Sequence, residues 1–413
     1  MSHDAHLRDL LGLVLEQNPF QRARMAGLDL GADAPLEALP TTSKAELVTD
    51  QQRHPPFGTN LTYELERYTH VHQTSGTTGP PLRVPDTTED WAWWGECLAH
   101  TLREAGVEAS DRAALTFSFG PHVHFWAVRE GLERVGAMGI PMGGMTSVQR
   151  LQTIAQMEAT VLLCTPTYAL RLMEVALEER LEPALASIRL VVCTGEPGAS
   201  LPAVRARIEE DFGARCVDHA GLTEVGNFGH PCVEGGGLLV DDDEFICEIL
   251  GADLQPVGPG ERGELVLTAL RRTGFPVIRY RTGDVVENTI ARPPNVSTDH
   301  RWLPGGILGR TDDMVVIRGM NVFPSAIDEA VRRVDGSGEF RVTFYTERGG
   351  MDQIKVEVEL EDGKGARTLQ ELMRQQLGLR VRVLAVAPGM LPRVDGKARR
   401  VVDERAAAWR PVA

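Results

Sequence analysis

The runs Ala114-Leu-Thr-Phe-Ser-Phe119, Thr160-Val-Leu-Leu-Cys-Thr-Pro166 and Ser187-Ile-Arg-Leu-Val-Val-Cys-Thr-Gly195 decide the fold. Each is short and apolar, of strand rather than helix length, and each stops at a polar or turn-forming cluster. Between them lie amphipathic stretches at 128–135 and 168–179 with helical spacing. Strands joined by crossover helices make an α/β sheet.

The alternation extends from about residue 71 to 307. Upstream, residues 1–70 read as helices separated by Pro and Gly breaks. Ser43 followed three places on by Glu46 forms a capping-box pattern. This segment is expected to pack and to carry no chemistry. From 241 to 286 the pattern changes to short strands with Gly and Pro turns, as in FICEIL and GELVLTAL, which predicts an antiparallel β subdomain on the larger body. After Leu308-Gly-Arg-Thr-Asp-Asp313 come RVTFYTE, then KVEVELE, in which Val356, Val358 and Leu360 alternate with Lys355, Glu357 and Glu359. A helix near 369–377 and the strand RVRVLAV complete a small α+β unit. The expected division is 1–311 and 312–413.

With 413 residues the chain is too long for one ordinary core and suits two domains. Its 42% hydrophobic and 24% charged residues are those of an average globular protein. A net charge of −15 argues against a nucleic-acid or anionic-membrane binder. The richest short basic segment is 397–400, small enough to belong to a site. Six cysteines without CxxC spacing read as reduced thiols, and the start carries no apolar signal segment, so a cytoplasmic location is expected. No apolar run approaches the roughly 18–20 residues of a membrane span.

The segment Gln73-Thr-Ser-Gly-Thr-Thr-Gly-Pro-Pro81 concentrates glycines and hydroxyls after an apolar-polar stretch. Glycines let backbone N–H groups converge on an anion, and hydroxyls add donors, so such a loop suits polyphosphate. It lacks the GK[ST] ending of a Walker loop. Downstream stand Gly195-Glu-Pro197, Ala220-Gly-Leu-Thr-Glu224, Tyr280-Arg-Thr-Gly-Asp284, Leu308-Gly-Arg-Thr-Asp-Asp313 with Arg318-Gly-Met-Asn321, and Pro392-Arg-Val-Asp-Gly-Lys397. This ordered set resembles the adenylate-forming superfamily of acyl- and aryl-CoA ligases, adenylation domains and luciferases. The opening Asn18-Pro-Phe-Gln and the compressed N-terminal region look most like its phenylacetate-CoA ligase branch.

The resemblance implies ATP-dependent activation of a carboxylic acid to an acyl-adenylate, then acyl transfer to the thiol of coenzyme A. It also implies roles. Ser75, Gly76, Thr77, Thr78 and Gly79 would hold the β- and γ-phosphates, Thr223 would touch the α-phosphate, and Glu224 would coordinate Mg²⁺, a cation that takes hard oxygen ligands. Asp284 and Arg310 would hold the ribose, and Gly195, Glu196 and Pro197 would line the adenine. Lys397 would bridge the carboxylate and α-phosphate oxygens, a task suited to a flexible point charge. Asp312 would be the hinge of a mobile C-terminal domain.

Two departures stand out: Ala220 takes the place of the family's aromatic residue, and Pro80, Pro81 and Leu82 follow the phosphate loop where relatives often place a lysine. The acyl pocket by the same resemblance comprises Phe119, His122, His124, Phe125, His219, Ala220 and Gly221, whose rings favour an aromatic acid. Trp91, Trp93 and Trp94 are expected to pack against the body or to make a subunit contact, as in a homodimer. His230-Pro-Cys232, with Cys216 and Cys247, offers zinc-ligand side chains at spacings matching no familiar zinc signature. Two other readings remain open here: loading of a carrier-protein phosphopantetheine arm, and a non-catalytic nucleotide-binding regulator on the same fold.

Overall fold

The computed structural model describes residues 3–28, 31–74, 80–234, 236–293, 300–311, 313–318, 320–347, 351–360, 363–393 and 400–405. The three runs that opened the sequence reading contribute strands to one five-stranded sheet, the first only through Ala114 and Leu115; all strands are parallel, in the spatial order Met138–Pro141, Arg112–Leu115, Val161–Cys164, Leu190–Cys193, Arg215–Asp218. Successive strand residues point to opposite faces. Ala113, Leu115, Val161, Leu163, Leu190 and Val192 therefore enter one core, while Ala114, Leu162, Cys164, Val191 and Cys193 enter a second. Both faces are dry, which is why these strands read as continuous apolar runs.

The crossover helices are Val123–Val135, Ser147–Gln156, Pro166–Glu179 and Pro202–Phe212. The helix read at 128–135 begins earlier because His122 precedes it in extended backbone. Thr165 caps the next, accepting from the Tyr168 amide at 3.2 Å. The long helix Thr88–Ala105 carries Trp91, Trp93 and Trp94, all buried in the first core. These tryptophans pack within the chain.

The antiparallel part is larger than the sequence suggested. One four-stranded sheet runs Arg301–Leu303, Leu238–Val240, Gly226–Pro231, Ala220–Leu222; a second runs Phe245–Leu250, Arg262–Ala269, Tyr280–Glu287, Gly309–Arg310. Its first strands escaped notice because they are three to six residues long and glycine-rich, with little alternation.

Beyond residue 315 the chain has a core of its own. Helices Pro324–Arg332 and Gly363–Leu377 pack on a mixed sheet in the order Arg382–Val386, Asp352–Glu359, Phe340–Thr346, Val401–Asp403. Val356, Val358 and Leu360 are buried as the alternation predicts. Glu359, expected outward, is 1% exposed. Arg393 covers it, donating to both carboxylate oxygens at 2.8 and 2.6 Å.

Among the described residues no helix is long and apolar enough to cross a membrane. None of the six cysteines is in a disulfide.

Candidate active site

Residues 75–79 (Ser75, Gly76, Thr77, Thr78, Gly79), Asp312 and Lys397 lie outside the described residues. The stem of the phosphate loop is described. Thr74 N–H donates to the Leu82 carbonyl at 3.0 Å, and Leu82 N–H returns a bond to Thr74 Oγ1 at 3.1 Å. Gln73 N–H reaches the Pro121 carbonyl at 2.7 Å, tying the stem to the segment that carries the acyl-pocket rings.

Thr223 and Glu224 occupy the turn between the strands Ala220–Leu222 and Gly226–Pro231. Their carbonyls accept from Arg272 Nη1, both at 2.9 Å. The other side of that guanidinium donates to Asp86 Oδ1 at 2.8 and 2.6 Å. Arg272 is 0% exposed and Asp86 1%. A buried charge persists only when paired and hydrogen-bonded, so the Thr-Glu turn hangs from a dry ion pair. Sequence reasoning missed it, since nothing local separates Arg272 from its exposed neighbour Arg271.

Glu224 is itself buried, with Oε1 3.3 Å from Lys44 Nζ. The capping box at Ser43 and Glu46 is present as read, with Glu46 N–H donating to Ser43 Oγ at 3.3 Å and Ser43 N–H to Glu46 Oε2 at 2.7 Å. It starts the helix Lys44–Arg53, and Lys44 at the first helical position reaches the site. The N-terminal segment, expected only to pack, thus sets a cation beside Glu224.

Tyr280 joins the parts. Burial, then the charge of Glu224 and a hydrogen bond to it, raise its phenol well above the usual value, and the ring also feels Arg310 and Asp284. Asp284 accepts from Arg310 Nη1 at 2.9 Å, the two being cross-strand partners. Gly283 has φ +76°, and a Cβ there would stand 2.7 Å from Arg310 Nη2, so any other residue would strain the backbone and displace the guanidinium.

The structure turns Glu196 sideways. Its Oε1 accepts from the Thr167 amide at 2.8 Å, at the N-terminus of the helix Pro166–Glu179, where a carboxylate is favoured. Gly195 beside it has φ +91°, and Pro197 follows in the same irregular loop. Arg400, from the C-terminal part, feels the Glu196 charge and donates to Thr167 Oγ1 at 3.3 Å.

In the acyl segment, Phe119 is half exposed and meets Phe125 edge-on at 4.4 Å. Phe125 is buried in the main core and touches Trp126, whose indole N–H donates to the Gly120 carbonyl at 3.0 Å. His122 Nδ1 lies 3.1 Å from the Gln73 carbonyl, and the His124 ring is 6.2 Å from Phe117. His219 is buried. Its Nδ1 pairs with Asn227 Oδ1 at 2.9 Å, and Asn227 Nδ2 donates to Thr101 Oγ1 at 2.7 Å. Its Nε2 is buried with no hydrogen-bond partner among the described residues. Burial, only partly offset by Asn227, lowers its pKa to about 4, so the ring is neutral at neutral pH. Ala220 is buried, and a Cβ on Gly221 would stand 3.1 Å from the Gly226 carbonyl.

Residues 36–269 match the family of AMP-binding enzymes, and 319–405 match the AMP-binding enzyme C-terminal domain. The chain belongs to the AMP-binding enzyme family. Phenylacetate-coenzyme A ligase of Escherichia coli (strain K12) is 33% identical over 386 residues, 90% of this chain and 85% of that protein. Its namesake from Pseudomonas putida is 31% identical over 409 residues, 94% and 90%. Among solved structures, 2-hydroxyisobutyryl-CoA ligase in the postadenylation state with 2-HIB-AMP superposes with TM-score 0.90 at 31% identity, covering 97% of this chain and 89% of that one. The same ligase with 2-HIB-AMP and CoA in the thioesterification state gives 0.72. This AMP-binding enzyme therefore holds its C-terminal part nearer to the first arrangement. Helix Pro324–Arg332 delivers Glu329 to the Ala203 amide at 3.3 Å, and Arg393 reaches Glu174 at 3.0 Å.

Proposed function

We propose that the chain is an AMP-forming acid–CoA ligase acting in two steps at one site. A carboxylate oxygen attacks the α-phosphorus of ATP, the acyl-phosphate bond forms, and pyrophosphate leaves with the electron pair of the broken P–O bond. The thiol sulfur of coenzyme A then attacks the acyl carbon, its proton is lost, and AMP departs. The observation that carries this reading is the cluster of buried Glu224, Tyr280 and Asp284 with half-buried Arg310, drawn from three separate motifs.

In this reading 75–79 bind the β- and γ-phosphates, Thr223 contacts the α-phosphate, and Asp284 with Arg310 holds the ribose hydroxyls, a carboxylate being a natural acceptor for two hydroxyl donors. Gly195, Glu196 and Pro197 border the adenine, with the Glu196 carboxylate facing away from it. Glu224 supplies the hard oxygen that Mg²⁺ requires, and bound Mg²⁺ neutralises phosphate charge. Lys44 replaces the absent loop lysine, turning from Glu224 to the pyrophosphate when nucleotide enters. Lys397 joins carboxylate and α-phosphate oxygens in the first step and withdraws in the second, as the unit 312–413 turns about Asp312 away from the body 1–311. A cytoplasmic setting and free thiols go together in this proposal.

The acid is aromatic in the reading we favour, because Phe119 and Trp126 present open ring surface beside His122 and His124. A small 2-hydroxy acid is the second reading, favoured by the unpartnered Nε2 of neutral His219, which offers a substrate hydroxyl one hydrogen bond. Carboxylate-dependent ATP–pyrophosphate exchange with aryl, arylacetic, amino, aliphatic and 2-hydroxy acids tests both. Exchange with one class names the substrate. Loss of exchange with every class, while ATP still binds, would leave the regulatory reading. Offering the adenylate to coenzyme A and to a phosphopantetheinylated carrier separates the two acceptors.

A further inference from the structure

Among the described residues, one group of potential metal ligands has its donor atoms all within 4.8 Å of one another: His100, His230 and His300. They come from three elements distant in sequence. His100 is on the helix Thr88–Ala105, His230 on the strand Gly226–Pro231, and His300 immediately precedes the strand Arg301–Leu303. The His230 ring stands edge-on to both others, with centroids 4.9 Å from His100 and 5.4 Å from His300. We propose that these three imidazoles form a binding site for one divalent transition-metal ion, zinc first, outside the nucleotide site.

Two observations converge on it. His100 Nε2 is buried without a hydrogen-bond partner among the described residues, a condition that costs about 1–3 kcal/mol unless something else takes the nitrogen. His300 lines a cavity of about 360 Å³ with Asp242, Cys247 and Arg301, an approach for an ion.

Zinc bonds imidazole nitrogens at about 2.0–2.1 Å in tetrahedral geometry, which sets ligand atoms roughly 3.4 Å apart. Side-chain rotations of the half-buried His100 and His300 close the remaining gap, and the fourth position faces water or the cavity. Imidazole suits zinc, copper and nickel, and zinc is the ion without a geometric demand of its own. The ligand set differs from that suggested by His230, Cys232 and Cys247, because Cys232 and Cys247 do not join this cluster.

The position matters for the site next door. Thr101 follows His100 and accepts from Asn227, which lies on the His230 strand and pairs with His219. A metal here would lock the helix to the strand that together position His219.

The test uses full-length protein stripped with a chelator, dialysed, and titrated with zinc chloride and, separately, cobalt chloride. The expected result is uptake of about one equivalent of zinc per chain and a raised unfolding temperature. Cobalt should give tetrahedral visible bands without the near-ultraviolet thiolate-to-cobalt charge transfer. His100→Gln and His300→Gln, both at half-buried positions that tolerate an amide, should each lower zinc affinity at least tenfold and lose the thermal shift. Failure of wild type to retain zinc at micromolar free metal, unchanged zinc binding in the double variant, or a thiolate band would each overturn the proposal.

Discussion

Two arginines show how the body and the C-terminal part of this AMP-binding enzyme differ. Arg272 has no exposed surface, and neither has its partner Asp86 beyond 1%. Arg393 stands 23% exposed between Glu359 of its own unit and Glu174 of the body, itself 31% exposed. A dry pair is expensive to break because the surviving charge stays buried, whereas a wet pair is exchanged for water at little cost. The turn carrying Thr223 and Glu224 is thus held by contacts that do not let go, and the C-terminal unit by contacts that do. That distribution suits one site used in two arrangements.

The comparison breaks most visibly at its dry end. Arg272→Met should destabilise the folded protein by about 3–5 kcal/mol, because Asp86 is left buried and unpaired and two carbonyls lose their donor. Urea unfolding of variant and parent measures it. A loss no larger than that of Glu174→Gln, which breaks only the exposed half of the Arg393 bridge, would mean that burial does not separate the two pairs.

Lys397→Ala comes next. Carboxylate-dependent pyrophosphate exchange should fall by about 10²–10³, the loss associated with removing one transition-state donor. Thioester formation from supplied acyl-adenylate should fall far less. Equal losses in the two assays would remove the reason for a unit that moves.

Asp218 and its neighbour His219 sharpen the dry side further. Burial outweighs the bonds from Ser200 N–H and Oγ and raises the Asp218 carboxyl to about 7, while burial lowers His219 to about 4. Unfolded, their values are about 3.9 and 6.5. Between pH 4 and 6.5 the folded pair is neutral and the unfolded pair is a carboxylate with an imidazolium, so each state binds one proton and stability is flat. The raised carboxyl alone contributes stability that is full below pH 4 and lost as pH rises toward 7. His219→Gln should therefore unmask a decline of about 1.4 kcal/mol per pH unit relative to parent across that window. Parallel stability–pH curves would show that His219 titrates alike in the folded and unfolded chain.

The sequence disclosed what depends on local pattern. Continuous apolar runs placed three of the five strands of the parallel sheet, because both faces of that sheet are apolar; capping chemistry placed the start of Lys44–Arg53. The motif residues Glu224, Asp284 and Arg310 were legible through their setting in short motifs that stand in the family's order. Arg272 on Asp86 and Lys44 on Glu224 were not, since each pair joins segments far apart in the chain. Glu359 was misplaced for the same reason: period two sets its direction, but only the fold brings Arg393 over it. His100, His230 and His300 have no shared spacing at all.

The smallest effect belongs to the wet end. Arg393→Gln removes a guanidinium that bridges Glu174 and Glu359, two carboxylates in different units. The Glu174 half of that bridge is partly exposed, so its loss should shift the balance between arrangements by only about 0.2–1 kcal/mol. Half-reactions read such a shift better than melting does. Pyrophosphate exchange should weaken up to about fivefold, because the arrangement seen here is populated less, while transfer to coenzyme A is unchanged or faster. Glu174→Gln breaks the bridge from the body side and leaves the Arg393–Glu359 pair intact, so it should reproduce the exchange defect without the added cost of exposing Glu359. If Glu174→Gln left exchange untouched while Arg393→Gln reduced it, Arg393 would act through Glu359 inside its own unit. The junction would then be held by Glu329 at the Ala203 amide and by Arg400 at Thr167.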